Sequence, residues 1–136
     1  MKFAFILDPL EGLKAYKDSS VAMMRTAAKR NHEVWAIQRA ALVWRDGVVA
    51  ARAQRLKVGA GDTAWFSVIE EAVLPLTACD AVLMRQDPPF DFEYVAATWL
   101  LERAEAEGAR IWNKPRSIRD HSEKVAITEF PQFTPT

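Results

Sequence analysis

Met84-Arg85-Gln86-Asp87-Pro88-Pro89-Phe90-Asp91 is the stretch on which the fold turns. An apolar run, Ala81-Val82-Leu83-Met84, stops at an arginine, a stiff double-proline loop follows, and Asp91 opens a long helical pattern. That order is a strand, a rigid turn and a helix N-terminus, with fixed charges gathered at the turn. In α/β proteins ligands bind beyond the carboxyl ends of the strands, so a cation held there by prolines points to a place that receives an anion.

Upstream, Lys2 to Leu7 is a second nearly continuous apolar run, the pattern of a strand buried on both faces. Asp8-Pro9 ends it, and Leu10 to Lys17 reads as a loop. Asp18, Ser19 and Ser20 are each able to cap the helix that follows, which is expected to run to about Asn31. Ser20, Met23, Met24, Ala27 and Ala28 recur at helical spacing as its buried face. Glu33 to Gln38 reads as a strand. Asp46-Gly47, between Leu42-Val43-Trp44-Arg45 and Val48-Val49-Ala50-Ala51, predicts a two-residue hairpin turn. The returning strand alternates through Ala51-Arg52-Ala53, but Leu56-Lys57-Val58 falls one position out of phase. A bulge near Gln54-Arg55 is expected to restore the apolar face. Trp65 to Ala72 reads as a helix, and Pro75 ends whatever follows.

Downstream, the helix capped by Asp91 is expected to reach about Glu107, with Gly108 as its stop and Glu93 suiting the positive end of its dipole. Val95, Ala96, Trp99, Leu100 and Ala104 form its expected buried stripe. Arg110 to Asn113 reads as a short strand, Pro115 to Asp120 as a turn or short helix, and Ser122 to Phe130 as helical. The order β-α-β, a hairpin excursion, then β-α-β predicts an α/β, Rossmann-like domain: a mostly parallel sheet flanked by helices.

Composition narrows the function classes. The 136 residues suffice for one domain with a real core, and 18 basic residues balance 18 acidic ones. Such a balance leaves no electrostatic footprint for nucleic acid or an anionic membrane. No segment has the length needed to cross a bilayer, and the start meets Asp8-Pro9 too early for a signal peptide. A single cysteine, Cys79, excludes an internal disulfide and fits a reducing cytoplasm. No Gly-x-Gly-x-x-Gly follows the first strand and no Walker-type loop exists. His32 and His121 are too far apart in sequence to suggest a metal site, so no metal ligands are expected here. Cys79 reads as a small buried hydrophobe, His32 as a surface residue at a helix C-terminus, and Trp44 and Trp65 as exposed aromatics.

Three loops hold the candidate site residues. Lys17-Asp18-Ser19-Ser20 reads either as an ordinary capped helix start or as an anion site, where free amides, two hydroxyls and a lysine converge. Arg85 reads either as the partner of Asp87 or Asp91 in a structural bridge or as the anion receiver. Asp8 occupies the matching position after the first strand, so the three loops are expected to share one rim.

These residues carry a resemblance. Asp8-Pro9-Leu10, Lys17-Asp18-Ser19-Ser20 with Ala22-Met23-Met24, Leu74-Pro75-Leu76, and Met84 to Asp91 with Glu93-Tyr94 and Ala97-Thr98 are similar to segments of one family. Asn113-Lys114-Pro115, Ser117, Arg119-Asp120 and Glu123-Lys124 complete the match. The chain resembles the N-terminal domain of prokaryotic glutathione synthetase, an ATP-grasp ligase, over essentially its whole length. It departs from the family at Gln86, where lysine is usual, at Arg116 (glutamine) and at Ser122 (asparagine).

The resemblance implies a pre-ATP-grasp, substrate-side domain over residues 1–121. Residues 122–136 would be the start of, or a linker to, an ATP-grasp domain. It implies an enzyme that joins γ-glutamylcysteine to glycine through an acyl phosphate, with ATP and Mg²⁺ bound mainly by the ATP-grasp part. Arg85 would face a substrate carboxylate, and Asp8, Lys17, Ser19, Ser20 and Asp87 would line the same pocket. Lys124 would reach ATP phosphate, and no residue here would act as chemical acid, base or nucleophile. A homo-oligomer and a cytoplasmic location are implied as well. Two rivals stand beside this reading: a related ligase with another acceptor, which Gln86 favours, and a stand-alone binding module without catalysis.

Overall fold

Apolar residues alternate between two packing partners along the first strand, and that alternation sets the layers. In the computed structural model, which describes residues 1–122 and 124–134, β1 (Lys2–Ile6) sends Ala4 and Ile6 to one face of a sheet. Phe5 and Leu7 go to the other, and all four are buried. The remaining elements are α1 (Ser19–Lys29), β2 (Glu33–Arg45), β3 (Val48–Val58), β4 (Phe66–Pro75), β5 (Ala81–Met84), α2 (Phe92–Ala106), β6 (Ile111–Trp112) and α3 (Pro115–Asp120). One six-stranded sheet has the order β4-β3-β2-β1-β5-β6. β2, β1, β5 and β6 are parallel, and β3 and β4 extend the sheet antiparallel. α1 covers one face through Val21, Met24 and Ala27, and α2 covers the other through Tyr94, Ala97, Leu101 and Ala104. The chain is α/β with a mostly parallel sheet, as its pattern predicts.

The connections run in opposite directions. β1 passes through α1 to β2 on one side, while β5 passes through α2 to β6 on the other. The chain therefore diverges between the carboxyl ends of β1 and β5, where open α/β sheets form a crevice. Local chemistry fixes both helix starts there. Asp18 caps α1 by accepting from the Ser20 and Val21 amides at 2.7 and 3.0 Å. Asp91 caps α2 by accepting from the Tyr94 amide at 2.8 Å. Gly108, at φ 104°, supplies the left-handed stop after α2, and Asp46-Gly47 makes the hairpin turn with both φ angles positive.

Several expectations need correction. Trp65 to Ala72 is not a helix: Phe66–Pro75 is an edge strand paired antiparallel with β3. Arg55 faces Glu70 and Leu56 faces Val68, which leaves Ile69 as an extra residue. That bulge breaks the period of two and imitates helical spacing. The phase slip at Leu56 is not repaired either. Pairing with β2 runs unbroken from Ala53 to Leu56, so Ala51 and Ala53 face α2 while Leu56 faces α1. A bulge does lie opposite Arg55 and Leu56, but its extra residue belongs to β4, so the phase of β3 is unchanged. A second irregularity lies in β2, which extends well past Gln38 and sets residues 38–41 opposite Arg52 alone.

The buried stripe of α2 is Tyr94, Ala97, Thr98, Leu101 and Ala104, so of the expected set only Ala104 is fully inside and Trp99 is 50 % exposed. This helix is apolar on more than one face, which leaves its period without a clear phase. In α1, Val21 takes the inner place expected of Met23. Trp65 is 2 % exposed and packs on Phe66 with ring centroids 4.7 Å apart, whereas Trp44 is exposed as expected. Within Ser122 to Phe130 the described residues form a 3-10 turn, Val125–Glu129, and Glu123 lies outside the described residues. Among the described residues no helix is long and apolar enough to cross a membrane.

Candidate functional site

The end of β5 is tied to the end of β1 before any side chain acts, because the Arg85 amide donates to the Ile6 carbonyl at 2.7 Å. From that point the Arg85 side chain reaches across the crevice to the first turn of α1. Its Nε donates to Ser20 Oγ at 3.1 Å and its Nη2 to Ser19 Oγ at 2.7 Å. Each serine oxygen thus accepts from the guanidinium and keeps its own hydroxyl hydrogen to donate elsewhere. No ion pair of Arg85 with Asp87 or Asp91 forms; Asp91 instead lies 3.5 Å from Arg39.

Asp8 accepts from Gln86 Nε2 at 3.2 Å and from the Asp87 amide at 3.1 Å. Its two oxygens therefore brace the loop after β5. Below that loop, the Tyr94 hydroxyl donates to the Gln86 carbonyl at 3.2 Å.

Asp8, Lys17, Ser19, Ser20, Arg85 and Asp87 all line one cleft of about 620 Å³, together with Lys14 and Asp18. The three loops do share a rim. The formal charges of its lysines, arginine and aspartates balance, but their availability differs. Asp18 is occupied by the α1 amides and Asp8 by Gln86 and the Asp87 amide. Among the described residues, Lys14, Lys17 and Arg85 make no ion pair, and Lys17 lies 5.9 Å from the Tyr16 ring centre. The available charge is positive, with the Asp87 carboxylate as its counterweight. One part of the anion-site expectation fails: the Ser20 and Val21 amides are not free, because Asp18 holds them. The hydroxyls and cations remain.

Lys124 is elsewhere. It lines a second cleft, also about 620 Å³, on the far side of the Arg85 loop, with Phe90, Tyr94, Asn113, Ser117, His121 and Ser122. Arg85 and Asp87 border both clefts. α3, which supplies one wall, is anchored by Arg119, whose Nη2 donates to Glu102 at 2.6 Å and whose Nη1 donates to buried Thr98 at 3.3 Å. Asn113, Ser117, Ser122 and Lys124 offer donors that suit a phosphate. For Mg²⁺ the fit is poor: among the described residues no group of three or more His, Cys, Asp and Glu comes together.

Sequence reasoning missed Lys14 and Arg39. Lys14 sits in a loop that has no pattern to mark it. Arg39 did leave a signal, a cation between the apolar pairs Ala36-Ile37 and Ala40-Ala41. Cys79 is buried, and burial pushes its thiol pKa up, so it belongs to the core rather than to a site.

Comparison with known proteins identifies relatives of the chain. The family model described as "Prokaryotic glutathione synthetase, N-terminal domain" matches residues 1–119. A glutathione synthetase from Nitrosomonas europaea is 54 % identical over 99 % of this chain and 43 % of its own length. One from Ralstonia nicotianae is 51 % identical over 98 % of the chain and 41 % of its own length. One from Yersinia pestis is 42 % identical over 99 % and 42 %. The chain thus spans less than half the length of these curated relatives.

Proposed function

The chain belongs to the prokaryotic glutathione synthetase N-terminal domain family, and from that membership we propose that it is the substrate-side domain of an ATP-dependent ligase joining γ-glutamylcysteine to glycine. The observation that carries the proposal is the Arg85 guanidinium held by Ser19 and Ser20 at the switch-point crevice. A planar fork with donors to spare, beside two hydroxyls, suits a carboxylate. Lys14 and Lys17 raise the potential around it, and Asp87 suits the ammonium of the same amino-acid end. ATP, when bound, would supply the phosphoryl group that turns the cysteinyl carboxylate into an acyl phosphate, from whose carbonyl carbon the glycine amine would expel inorganic phosphate as the amide forms. The residues of this chain bind and orient, which lowers the barrier by positioning. Lys124, with Ser117 and Asn113, would hold ATP phosphate in the second cleft.

Gln86, where the family usually has lysine, is engaged in bracing through Asp8, so it gives little support to a different acceptor. The family match ending at residue 119 supports a domain boundary near residue 121. Exposed Trp44 and Val73 offer apolar surface for subunit contacts in a homo-oligomer, and the one buried cysteine agrees with a cytoplasmic location.

Calorimetry of γ-glutamylcysteine against this chain tests the proposal. Arg85→Ala is expected to weaken binding about tenfold to a hundredfold, the value of hydrogen bonds to a charged group. Equal binding by both proteins would sink the assigned role. The chain alone is expected to make no glutathione, and ATP-dependent product from purified chain would contradict that.

A further inference from the structure

Arg39 is a cation inside a strand, 14 % exposed, and nothing in the proposed chemistry uses it. It lies in the irregular stretch of β2, residues 38–41, which stands opposite Arg52 alone. Freed from the regular ladder, this stretch turns Arg39 toward the N-terminus of α2. There Nη1 lies 3.5 Å from the Asp91 carboxylate and Nη2 lies 3.5 Å from Glu93. The guanidinium carbon sits 5.4 Å from the centre of the Tyr94 ring. Nη1 is buried, and among the described residues it has no hydrogen-bond partner. It is held by charge and by the ring rather than by a directed bond. A cation with one buried nitrogen needs compensation, and here two acids and an aromatic face supply it.

Two of those contacts, to Asp91 and to Tyr94, lead toward Arg85. Asp91 caps α2 at Tyr94, and the Tyr94 hydroxyl donates to the carbonyl of Gln86, the residue next to Arg85. Asp8 holds the same Gln86 and Asp87 from the opposite side. The start of the double-proline loop is therefore held by both Asp8 and Tyr94, and Arg39 contacts Tyr94 and the cap together.

We propose that Arg39 is a positioning residue for the carboxylate site: by clamping Asp91 and Tyr94 it fixes the loop that presents Arg85 to Ser19 and Ser20. The proposal rests on the functional reading above only for the identity of the ligand. The placement of Arg85 is a property of the chain itself.

The test has two independent arms on the purified chain. The first follows the Arg85 Nε–H resonance by NMR, without ligand. Its hydrogen bond to Ser20 is expected to protect it from exchange, and Arg39→Ala is expected to shift it and remove that protection. Tyr94→Phe, which keeps the ring and loses only the hydroxyl, is expected to do the same in part. An unchanged Arg85 resonance in a folded Arg39→Ala protein overturns the inference, whatever the ligand does.

The second arm measures γ-glutamylcysteine affinity in a double-mutant cycle of Arg39→Ala with Arg85→Ala. Action through Arg85 predicts strong non-additivity, with Arg39→Ala weakening binding when Arg85 is present and adding little when it is absent. Additive losses overturn the inference. If Arg85→Ala leaves affinity unchanged while the first arm succeeds, the ligand assignment fails and the positioning role of Arg39 stands. Should Arg39→Ala not fold, Arg39→Lys keeps the charge but not the planar face, and it is expected to give an intermediate loss in both arms.

Discussion

Asp8 accepts the side-chain amide of Gln86 on one oxygen and the backbone amide of Asp87 on the other, at 3.2 and 3.1 Å. Two loops 78 and 79 residues apart in sequence are thereby joined at the carboxyl ends of adjacent strands. Truncation to Asp8→Ala leaves two donors to find new partners. The expected cost is about 1–3 kcal/mol of stability, measured by chemical denaturation. Hydrogen exchange at the Asp87 amide is expected to rise more than exchange in α1. A uniform rise across the domain would assign Asp8 a general rather than a local role.

The Asp18 carboxylate satisfies two amides at the start of α1. Asp18→Ala is expected to lower stability by about 0.5–2 kcal/mol. It also frees the Ser20 and Val21 amides and removes a negative charge from the rim, so inorganic phosphate is expected to bind the variant more tightly than the parent. Titration of both proteins with phosphate checks the sign.

Glu33 accepts from the Trp35 indole at 3.0 Å, and that bond, aided by Arg55 and Lys2, holds its carboxyl below the usual glutamate range despite some desolvation. A carboxylate depressed on folding stabilises the protein above its unfolded pKa. That contribution is lost as pH falls through the depressed folded value. In Trp35→Phe the Glu33 titration, followed by carbon NMR, is expected to move up toward the ordinary range. No movement would mean that the nearby cations, and not the indole, set its value.

For Cys79 the sign is opposite. Burial raises its thiol pKa, so the neutral form is favoured in the folded chain. The resulting stability is complete below the unfolded thiol pKa and fades as pH rises toward the folded value. A thiol reagent at neutral pH is expected to label the native chain slowly and the denatured chain fast. Cys79→Ala is expected to flatten the alkaline limb of the stability profile, at the expense of some core packing.

Much of the parallel half was legible because its signals are local. Pro88-Pro89, the Asp91 cap and the Gly108 stop each act within a few residues of themselves, and the structure follows them. The antiparallel half was harder. β4 depends on β3 for its shape: Glu70 meets Arg55 and Glu71 meets Arg52 across the ladder, and the extra Ile69 spoils the alternation that would have revealed a strand. The site was legible as three loops on one rim, since strand ends and helix starts are readable. Its bracing was not. Nothing in the sequence says that Arg39 reaches Asp91, because that contact spans two elements and an irregular stretch of β2.

The place of β1 in the sheet governs how the domain is assembled in time. It precedes both of its partners in the chain, yet it lies between β2 and β5, and its second partner follows about eighty residues later. The β2-β3-β4 meander pairs neighbour with neighbour and closes only short loops. Joining β1 to β5 closes a long loop, whose entropy must be met before the crevice exists. A nascent chain released before residue 84 can complete the meander, but it leaves one edge of its central strand bare. Such an edge is a template for pairing with another chain. The crevice thus comes into being in the same late step that protects that edge.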